Sequence, residues 1–235
     1  MNLWTTAALV AFVGCSDPTT EARIQELENR IEALQANAPK PPASNEDEVA
    51  AGQLLQAAVK SLDAGDSTGA KKSLEQLTTK YGNTRAAKRA ASMTAEVAVY
   101  GKDAVPLDVE KWFQGSAADA DGKATLVVFW EKWCPHCKRE VPKLQALHEQ
   151  YSNKGLAIVG LTKMTKGVTE ADVTSFIQEQ QIDYPMALES GTTISDYYAI
   201  RGIPAAVAIK DGKVVWRGHP GRIGQPLIER WLSDS

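Results

Sequence analysis

Two cysteines that stand two residues apart, Cys134 and Cys137, are the side chains whose type and spacing most directly indicate chemistry. The apolar run Ala124–Trp130 precedes them and helix-forming residues follow, so we expect the pair at the N-terminus of a helix, with Pro135 in its first turn. The unpaired N–H groups and the dipole at that end favour a thiolate. The second cysteine lies within the next turn, close enough to displace a mixed disulfide. The spacing therefore predicts a redox-active dithiol.

A zinc site and a structural disulfide are the alternatives for such a pair. A structural zinc site normally needs four protein ligands, and the sequence adds His136, His148 and His219 to the two cysteines without a second cysteine pair. We therefore expect no metal. A disulfide that closes so short a loop would add little stability through loop closure. We also expect no bound cofactor, because the dithiol is itself the redox group.

The third cysteine, Cys15, follows an uncharged N-terminal segment whose apolar stretch covers about residues 3–13. That stretch is shorter than the ~20 residues needed to span a bilayer, and it is typical of a signal peptide. The segment Phe12-Val13-Gly14-Cys15 resembles the bacterial lipobox. This resemblance implies that Cys15 is lipidated and that the protein is periplasmic or otherwise extracytoplasmic, anchored to a bacterial membrane. A plain secretory signal is the alternative.

Residues 16–45 are predicted to form a helical stalk and a linker. Ile24, Leu27, Ile31 and Leu34 alternate in spacings of three and four, which is a two-heptad seam. Two heptads are marginal for an independent coiled coil, so a solvated stalk and weak self-association through residues 21–36 both remain open. The proline-rich segment that follows predicts an extended spacer.

Residues 46–102 are predicted to be a small helical module. Helical periodicity covers residues 49–62 and ends at a glycine turn, Asp66 could cap a second helix, and a third runs from Thr84 towards Val99. The pattern resembles a single tetratricopeptide-like hairpin with no second copy at a fixed period. Nothing in this module suggests chemistry.

Residues 103–235 alternate between strand and helix patterns. A parallel start and an antiparallel hairpin finish predict an α/β sandwich. The expected strands after the cysteine helix are residues 156–161, 185–188, 205–209 and 213–216, and the expected helices are residues 169–181 and 223–232. The net charge of −3 and the scattered basic residues argue against nucleic acid as a partner.

The run from residue 128 to residue 142 resembles the active-site region of thioredoxin-like proteins and, more narrowly, of the extracytoplasmic TlpA/ResA-like branch. Pro142 corresponds to the helix-kinking proline of that family. Gly202-Ile203-Pro204 resembles its cis-proline loop, residues 211–218 its closing hairpin, and residues 160–188 the central insertion of the branch.

This resemblance implies a thioredoxin-like fold for residues 103–235, with a central mixed sheet flanked by helices. It implies a protein thiol–disulfide oxidoreductase in which Cys134 forms the mixed disulfide and Cys137 resolves it. Ile203 and Pro204 would hold the substrate backbone, and Trp133 would lie beside the site. Protein thiols or disulfides and an upstream redox partner are the implied partners.

The redox direction stays open at the level of the sequence. His136, next to Pro135, can stabilise the thiolate and make the disulfide more oxidising, and Cys-Pro-His-Cys is a choice of strong periplasmic oxidants. Val128 stands where cytoplasmic thioredoxins carry a buried aspartate. Glu140 matches an acid of the ResA-like branch, which implies proton transfer, with a surface ion pair as the alternative. We expect a reductase; an oxidase, an isomerase or a tethered interaction protein on the same fold are the alternatives.

Overall fold

A single long helix forms the first described element of the chain. In this computed structural model, which describes residues 18–37 and 43–233, α1 spans Pro18–Asn37. The predicted stalk is therefore helical, and Ile24, Leu27 and Ile31 each expose about half of their surface. Cys15, the rest of the signal segment and residues 38–42 of the proline-rich spacer lie outside the described residues.

Three helices then form the predicted helical module: α2 (Asn45–Asp63), α3 (Ser67–Tyr81) and α4 (Arg85–Val97). Each begins at a side chain that accepts a hydrogen bond from a backbone N–H of the first turn, which satisfies a donor that the helix cannot pair itself. These capping residues are Ser44, Asp66 and Thr84. Local sequence signals thus placed all three helices.

The rest of the chain folds around a mixed sheet. The described strands are β1 (Val109–Gln114), β2 (Ala124–Trp130), β3 (Leu156–Thr162), β4 (Met186–Glu189), β5 (Ala205–Lys210) and β6 (Lys213–Gly218). Their order in the sheet is β1-β4-β3-β2-β5-β6. Strands β2, β3 and β4 are parallel, whereas β1, β5 and β6 pair antiparallel with their neighbours. This is the predicted thioredoxin-like arrangement.

Four helices accompany the sheet: α5 (Pro135–Tyr151), α6 (Glu170–Glu179), α7 (Thr193–Tyr197) and α8 (Gln225–Leu232). Helix α6, which the sequence predicted, begins with a capping box in which the side chains of Thr169 and Asp172 each accept a hydrogen bond from the other's backbone N–H. The β5–β6 hairpin turns at Asp211 and Gly212, both with positive φ, as a type I′ turn requires. Strand β1 and helix α7 were not predicted.

The helical module packs against the sheet within one unit that begins at residue 43. Backbone hydrogen bonds join Gly101 and Lys102 to Val214 of β6. Arg217 of β6, which is 6% exposed, lies 3.8 Å from the carboxylate of Glu96 on α4. The same guanidinium donates to the backbone carbonyl of Tyr198 at 2.8 Å. One buried arginine thus connects the module to the chain that precedes β5.

Of the helices in residues 18–37 and 43–233, none has both the length and the apolar character that crossing a membrane requires.

Candidate active site

Cys134 lies where strand β2 gives way to helix α5. Its backbone N–H donates to the carbonyl of Glu131 at 3.1 Å, which closes a turn directly after the strand. Cys134 is the N-cap of α5, and its Sγ accepts a hydrogen bond from the backbone N–H of Cys137 at 3.4 Å. Pro135 occupies the first helical position, where its missing N–H costs no hydrogen bond. The sulfur therefore faces the positive end of the helix, as predicted.

Cys137 is a free thiol like Cys134, but it is completely buried. Burial raises the pKa of the Cys137 thiol. The neighbouring Cys134 and the negative charge of Glu131 raise it further, while a backbone hydrogen bond at Glu131 lowers it. Cys134 is 4% exposed and lines a cleft. The two thiols are thus unequal: one faces the cleft, and the other can act only on a sulfur bound to the first.

The loop before β5 brings a third predicted segment to the dithiol. The Ile203–Pro204 peptide bond is cis, and the Ile203 carbonyl lies 3.7 Å from Sγ of Cys134, within the range of a hydrogen bond from a thiol. These residues are 69 positions apart in the sequence. The structure therefore brings Cys134, Cys137, Ile203 and Pro204 together as the resemblance implied.

A cleft of about 500 Å³ opens beside Cys134. Its wall is formed by the cysteine turn, the loop before Pro204 and the residues that end or follow the central strands. The residues lining the cleft that bear on its chemistry are Trp133, Cys134, His136, Lys163, Glu189 and Ile203. An opening of this size next to the sulfur admits a segment of peptide chain.

Glu131 is an acid at the dithiol that sequence reasoning had not singled out. It is 9% exposed, and its Oε2 accepts hydrogen bonds from Trp133 Nε1 at 2.7 Å and from both the hydroxyl, at 2.5 Å, and the backbone N–H, at 3.3 Å, of Thr165. Three donors and one acceptor oxygen hold the loop at residue 165 against the active-site turn. Glu131 thereby orders one wall of the cleft and places a negative charge near Cys137.

A charged cluster, buried at Glu189 and partly exposed at Lys163, forms another wall of the cleft. Glu189 is 3% exposed, accepts a hydrogen bond from the Ser195 backbone N–H at 2.7 Å and lies 3.5 Å from Nζ of Lys163. Lys163 also donates to the Ser195 hydroxyl at 2.8 Å. Because β2, β3 and β4 are parallel neighbours, Glu131, Lys163 and Glu189 meet at one sheet edge. The sequence signal that could have identified these three residues is that each is a polar residue at or just after the end of a predicted parallel strand.

Trp133 and His136 both line the cleft, but their own contacts point to positioning. The Trp133 ring stacks under Nζ of Lys166, which lies 3.2 Å from its centroid. His136 is exposed, and its Nδ1 contacts a guanidinium nitrogen of Arg139 at 2.6 Å. A guanidinium can only donate, so Nδ1 accepts and the ring hydrogen lies on Nε2.

Glu140 and Lys132 form ion pairs. The carboxylate of Glu140, 12% exposed, lies 3.1 Å from Nζ of Lys143, and Glu140 is not among the cleft residues. Its proton-transfer role stays a prediction. Lys132 lies 2.7 Å from Asp172 at the start of α6, and its hydrogen bond lowers the pKa of that carboxyl. The ammonium group of Lys132, two residues before Cys134, is thus paired with the carboxylate of Asp172.

Within the part of the chain that the structure describes, no group of three or more histidine, cysteine or acidic side chains could hold a metal ion.

Comparison with known proteins agrees with this geometry. Residues 103–217 match the AhpC/TSA family, a stretch that runs from before β1 into β6 and contains the dithiol and Pro204. We call this part of the chain, which is similar to the AhpC/TSA family, the AhpC/TSA segment. The AhpC/TSA segment thus holds the turn, the cleft and the cis-proline loop, while the helices α1 to α4 precede it.

Curated relatives of the AhpC/TSA segment carry the name thiol-disulfide oxidoreductase ResA. A protein of that name from Bacillus cereus is 35% identical over 98 residues, which cover 41% of this chain and 55% of the relative. The one from Oceanobacillus iheyensis is 30% identical over 117 residues, covering 50% and 59%. The chain therefore spans a little more than half the length of these relatives.

A solved structure of another protein supports the fold. A thioredoxin-like protein solved in solution in its oxidised form is 20% identical, with a TM-score of 0.50 over 57% of this chain and 96% of that chain. At this identity the likeness concerns the fold alone, and it confirms the predicted thioredoxin-like architecture.

Proposed function

We propose that this protein is a thiol–disulfide oxidoreductase of the ResA/TlpA type that reduces disulfides of protein substrates. The observation that carries the proposal is the inequality of the two thiols. Cys134 faces the cleft at the start of α5 beside the Ile203 carbonyl, while Cys137 is fully buried behind it. A thiol pair that only stabilised the fold would not need one sulfur at a cleft.

The reaction follows from these positions. The Cys134 thiolate attacks one sulfur of a substrate disulfide; a mixed disulfide forms, and the other substrate sulfur leaves as a thiolate. Cys137 then loses its proton and attacks Sγ of Cys134. The internal disulfide forms, the second substrate thiolate leaves, and both substrate thiolates take up protons. Two electrons pass from the protein to the substrate, so an upstream redox partner must reduce the internal disulfide again.

The remaining predicted site residues have supporting roles in this proposal. Ile203 and Pro204 hold the substrate backbone beside the sulfur, and Trp133 lines the path to it. His136 and Pro135 set the redox potential through the thiolate of Cys134. Glu140 stays a candidate for proton transfer.

Insulin-disulfide reduction tests the enzyme proposal. We expect the wild-type protein to accelerate the reduction and Cys134→Ser to lose the effect, while Cys137→Ser retains a trapped mixed disulfide. Equal activity in the wild-type and Cys134→Ser proteins would contradict the enzyme proposal and indicate that the fold serves only as a scaffold. Equilibration of the dithiol with glutathione tests the direction. A potential near about −270 mV supports a reductase, and one near about −120 mV supports an oxidase.

We place the protein outside the cytoplasm, tethered to a bacterial membrane through lipidated Cys15. The support is the apolar segment and the lipobox-like Phe12-Val13-Gly14-Cys15. In this arrangement residues 1–15 are the signal segment, residues 46–102 the helical module and residues 103–235 the catalytic domain. Residues 16–45 are a helical stalk and proline-rich linker that self-associates weakly through residues 21–36. Release of Cys15→Ser from the membrane fraction is the expected outcome, and unchanged membrane attachment would contradict the tether.

A further inference from the structure

The helix α1 carries an apolar stripe whose described side chains are about half exposed. Ile24 is 51% exposed, and Leu27 and Ile31 are each 53% exposed. They follow one another at spacings of three and four residues, and Leu34 continues the spacing in the sequence. A stripe of this width is the seam by which two helices pack in a coiled coil. It is narrower than the apolar face of a helix that covers a globular core.

The residue types along the stripe distinguish between modes of association. Ile24 and Ile31 occupy the a positions of a heptad, and Leu27 and Leu34 occupy the d positions. Isoleucine at a with leucine at d favours two parallel strands, because a β-branched side chain packs well at the a layer and leucine at the d layer of a parallel dimer. Isoleucine at both positions, or the reverse order, would favour three or four strands.

The charges beside the stripe give an independent indication of the orientation. The g positions hold Arg23 and Arg30, whereas the corresponding e positions hold Glu21 and Glu28. In a parallel dimer each g side chain meets the e side chain of the next heptad on the other helix. Arg23 of each copy therefore meets Glu28 of the other copy, so the dimer contains two such contacts, one on each side of the seam. In an antiparallel dimer g meets g and e meets e. Arginine would then face arginine and glutamate would face glutamate.

We propose that α1 forms a parallel, in-register, two-stranded coiled coil with α1 of a second copy of this chain. The inference rests on the self-association proposed above for residues 21–36 and not on the dithiol chemistry. The exposed stripe thus packs against the same stripe on another molecule. The two Arg23–Glu28 contacts between the helices set their register and their parallel orientation.

A parallel arrangement has a consequence for the membrane tether. Both N-termini lie at the same end of the coiled coil, so the two Cys15 residues can enter one membrane surface. Two heptads are only about 21 Å long, and helices this short are marginal as free chains. Association therefore depends on concentration, and attachment to one membrane raises the effective concentration of the two stalks.

Charge exchange at the e and g positions tests the proposal in the full chain, purified in a mild detergent that retains the lipid. Sedimentation equilibrium should show a reversible monomer–dimer equilibrium for the wild-type protein. Arg23→Glu and Glu28→Arg should each weaken the dimer about tenfold, because both interhelical contacts become repulsive. An equimolar mixture of the two variants should recover the dimer, since each repulsive pair becomes attractive. Glu32→Arg, which makes the same charge change at a b position, should leave the equilibrium unchanged.

Three results would overturn the proposal. A wild-type protein that stays monomeric at every concentration excludes a second copy of the stripe as its occupant. A stronger dimer for Arg23→Glu indicates the antiparallel orientation, and a trimer or tetramer excludes two strands. Insulin reduction measured on the same samples keeps this test separate from the enzyme proposal. The charge variants should retain full activity whether or not the dimer forms.

Discussion

Glu131→Gln isolates the effect of one negative charge on the buried thiol of Cys137. All three hydrogen bonds to the Glu131 carboxylate end on Oε2. A glutamine oxygen in that position accepts the same bonds from Trp133 and Thr165, so the substitution removes the charge and leaves the contacts in place. Hydrogen bonds to a charged acceptor are stronger than bonds to an amide oxygen, so we expect the free energy of unfolding to fall by about 1 kcal/mol and the fold to remain intact.

The expected kinetic effect follows from the direction in which Glu131 acts. Its charge raises the pKa of the Cys137 thiol, in addition to the larger effect of burial. Removing the charge lowers that pKa, and each unit of decrease gives about ten times more thiolate at a pH well below it. The thiolate also becomes less nucleophilic, by about threefold per unit. The net expectation is that Cys137 attacks Sγ of Cys134 about three times faster for each unit by which the pKa of its thiol falls.

Stopped-flow mixing of the reduced protein with a chromogenic aromatic disulfide measures this step. The first thiol is released when Cys134 attacks, and the second when Cys137 resolves the mixed disulfide. Glu131→Gln should accelerate the second release and shift its pH profile to lower pH. Glu149→Gln, which removes an exposed acid near the far end of α5, is the matched control and should change neither phase.

A slower second release in Glu131→Gln would refute this reasoning, because it would show that Glu131 accepts the Cys137 proton rather than opposing the thiolate. The same measurement decides the proton-transfer prediction for Glu140. A slower second release in Glu140→Gln assigns the role to that residue. An unchanged rate leaves Glu140 with its ion pair to Lys143.

Two further predictions concern burial. Because Cys137 is fully buried and burial raises its pKa, brief treatment of the reduced protein with iodoacetamide at pH ~8 should label Cys134 and leave Cys137 unmodified. Equal labelling of these two cysteines in peptide mass spectrometry would contradict the geometry. Burial also raises the pKa of Glu96, although Arg222 and Arg217 lower it. Ionisation of Glu96 therefore costs folding free energy, and urea unfolding should show wild-type stability falling relative to Glu96→Gln as pH rises above 4.5. A difference in unfolding free energy between the wild-type and Glu96→Gln proteins that stays constant with pH would contradict this prediction.

Much of the architecture was predictable because its signals are local. The apolar run of β2 and the capping residues Asp66 and Thr84 define their elements through neighbours a few positions away. The cysteine spacing and Pro135 likewise place the dithiol at the start of a helix. Such patterns act through backbone hydrogen bonds and the period of one helix or strand, so they can be read without knowing the fold.

Strand β1 escaped prediction for the opposite reason. Its sequence, VEKWFQ, has polar residues at positions 110, 111 and 114 and no clear alternation. It forms because β4, more than 70 positions later, offers an open edge with which it pairs antiparallel. An edge strand needs only one partner and little apolar character, so its existence is decided by the rest of the sheet.

The sequence by itself therefore determined the reactive pair, the helix that begins at it and the order of the central elements, since these depend on residue type and short-range spacing. Tertiary structure alone decided that Cys137 is buried while Cys134 lines a cleft, and it set the distance of 3.7 Å between Sγ of Cys134 and the Ile203 carbonyl. It also brought Glu131, Lys163 and Glu189 to one sheet edge. The environment of a thiol comes from chain segments distant in sequence, and packing brings them together.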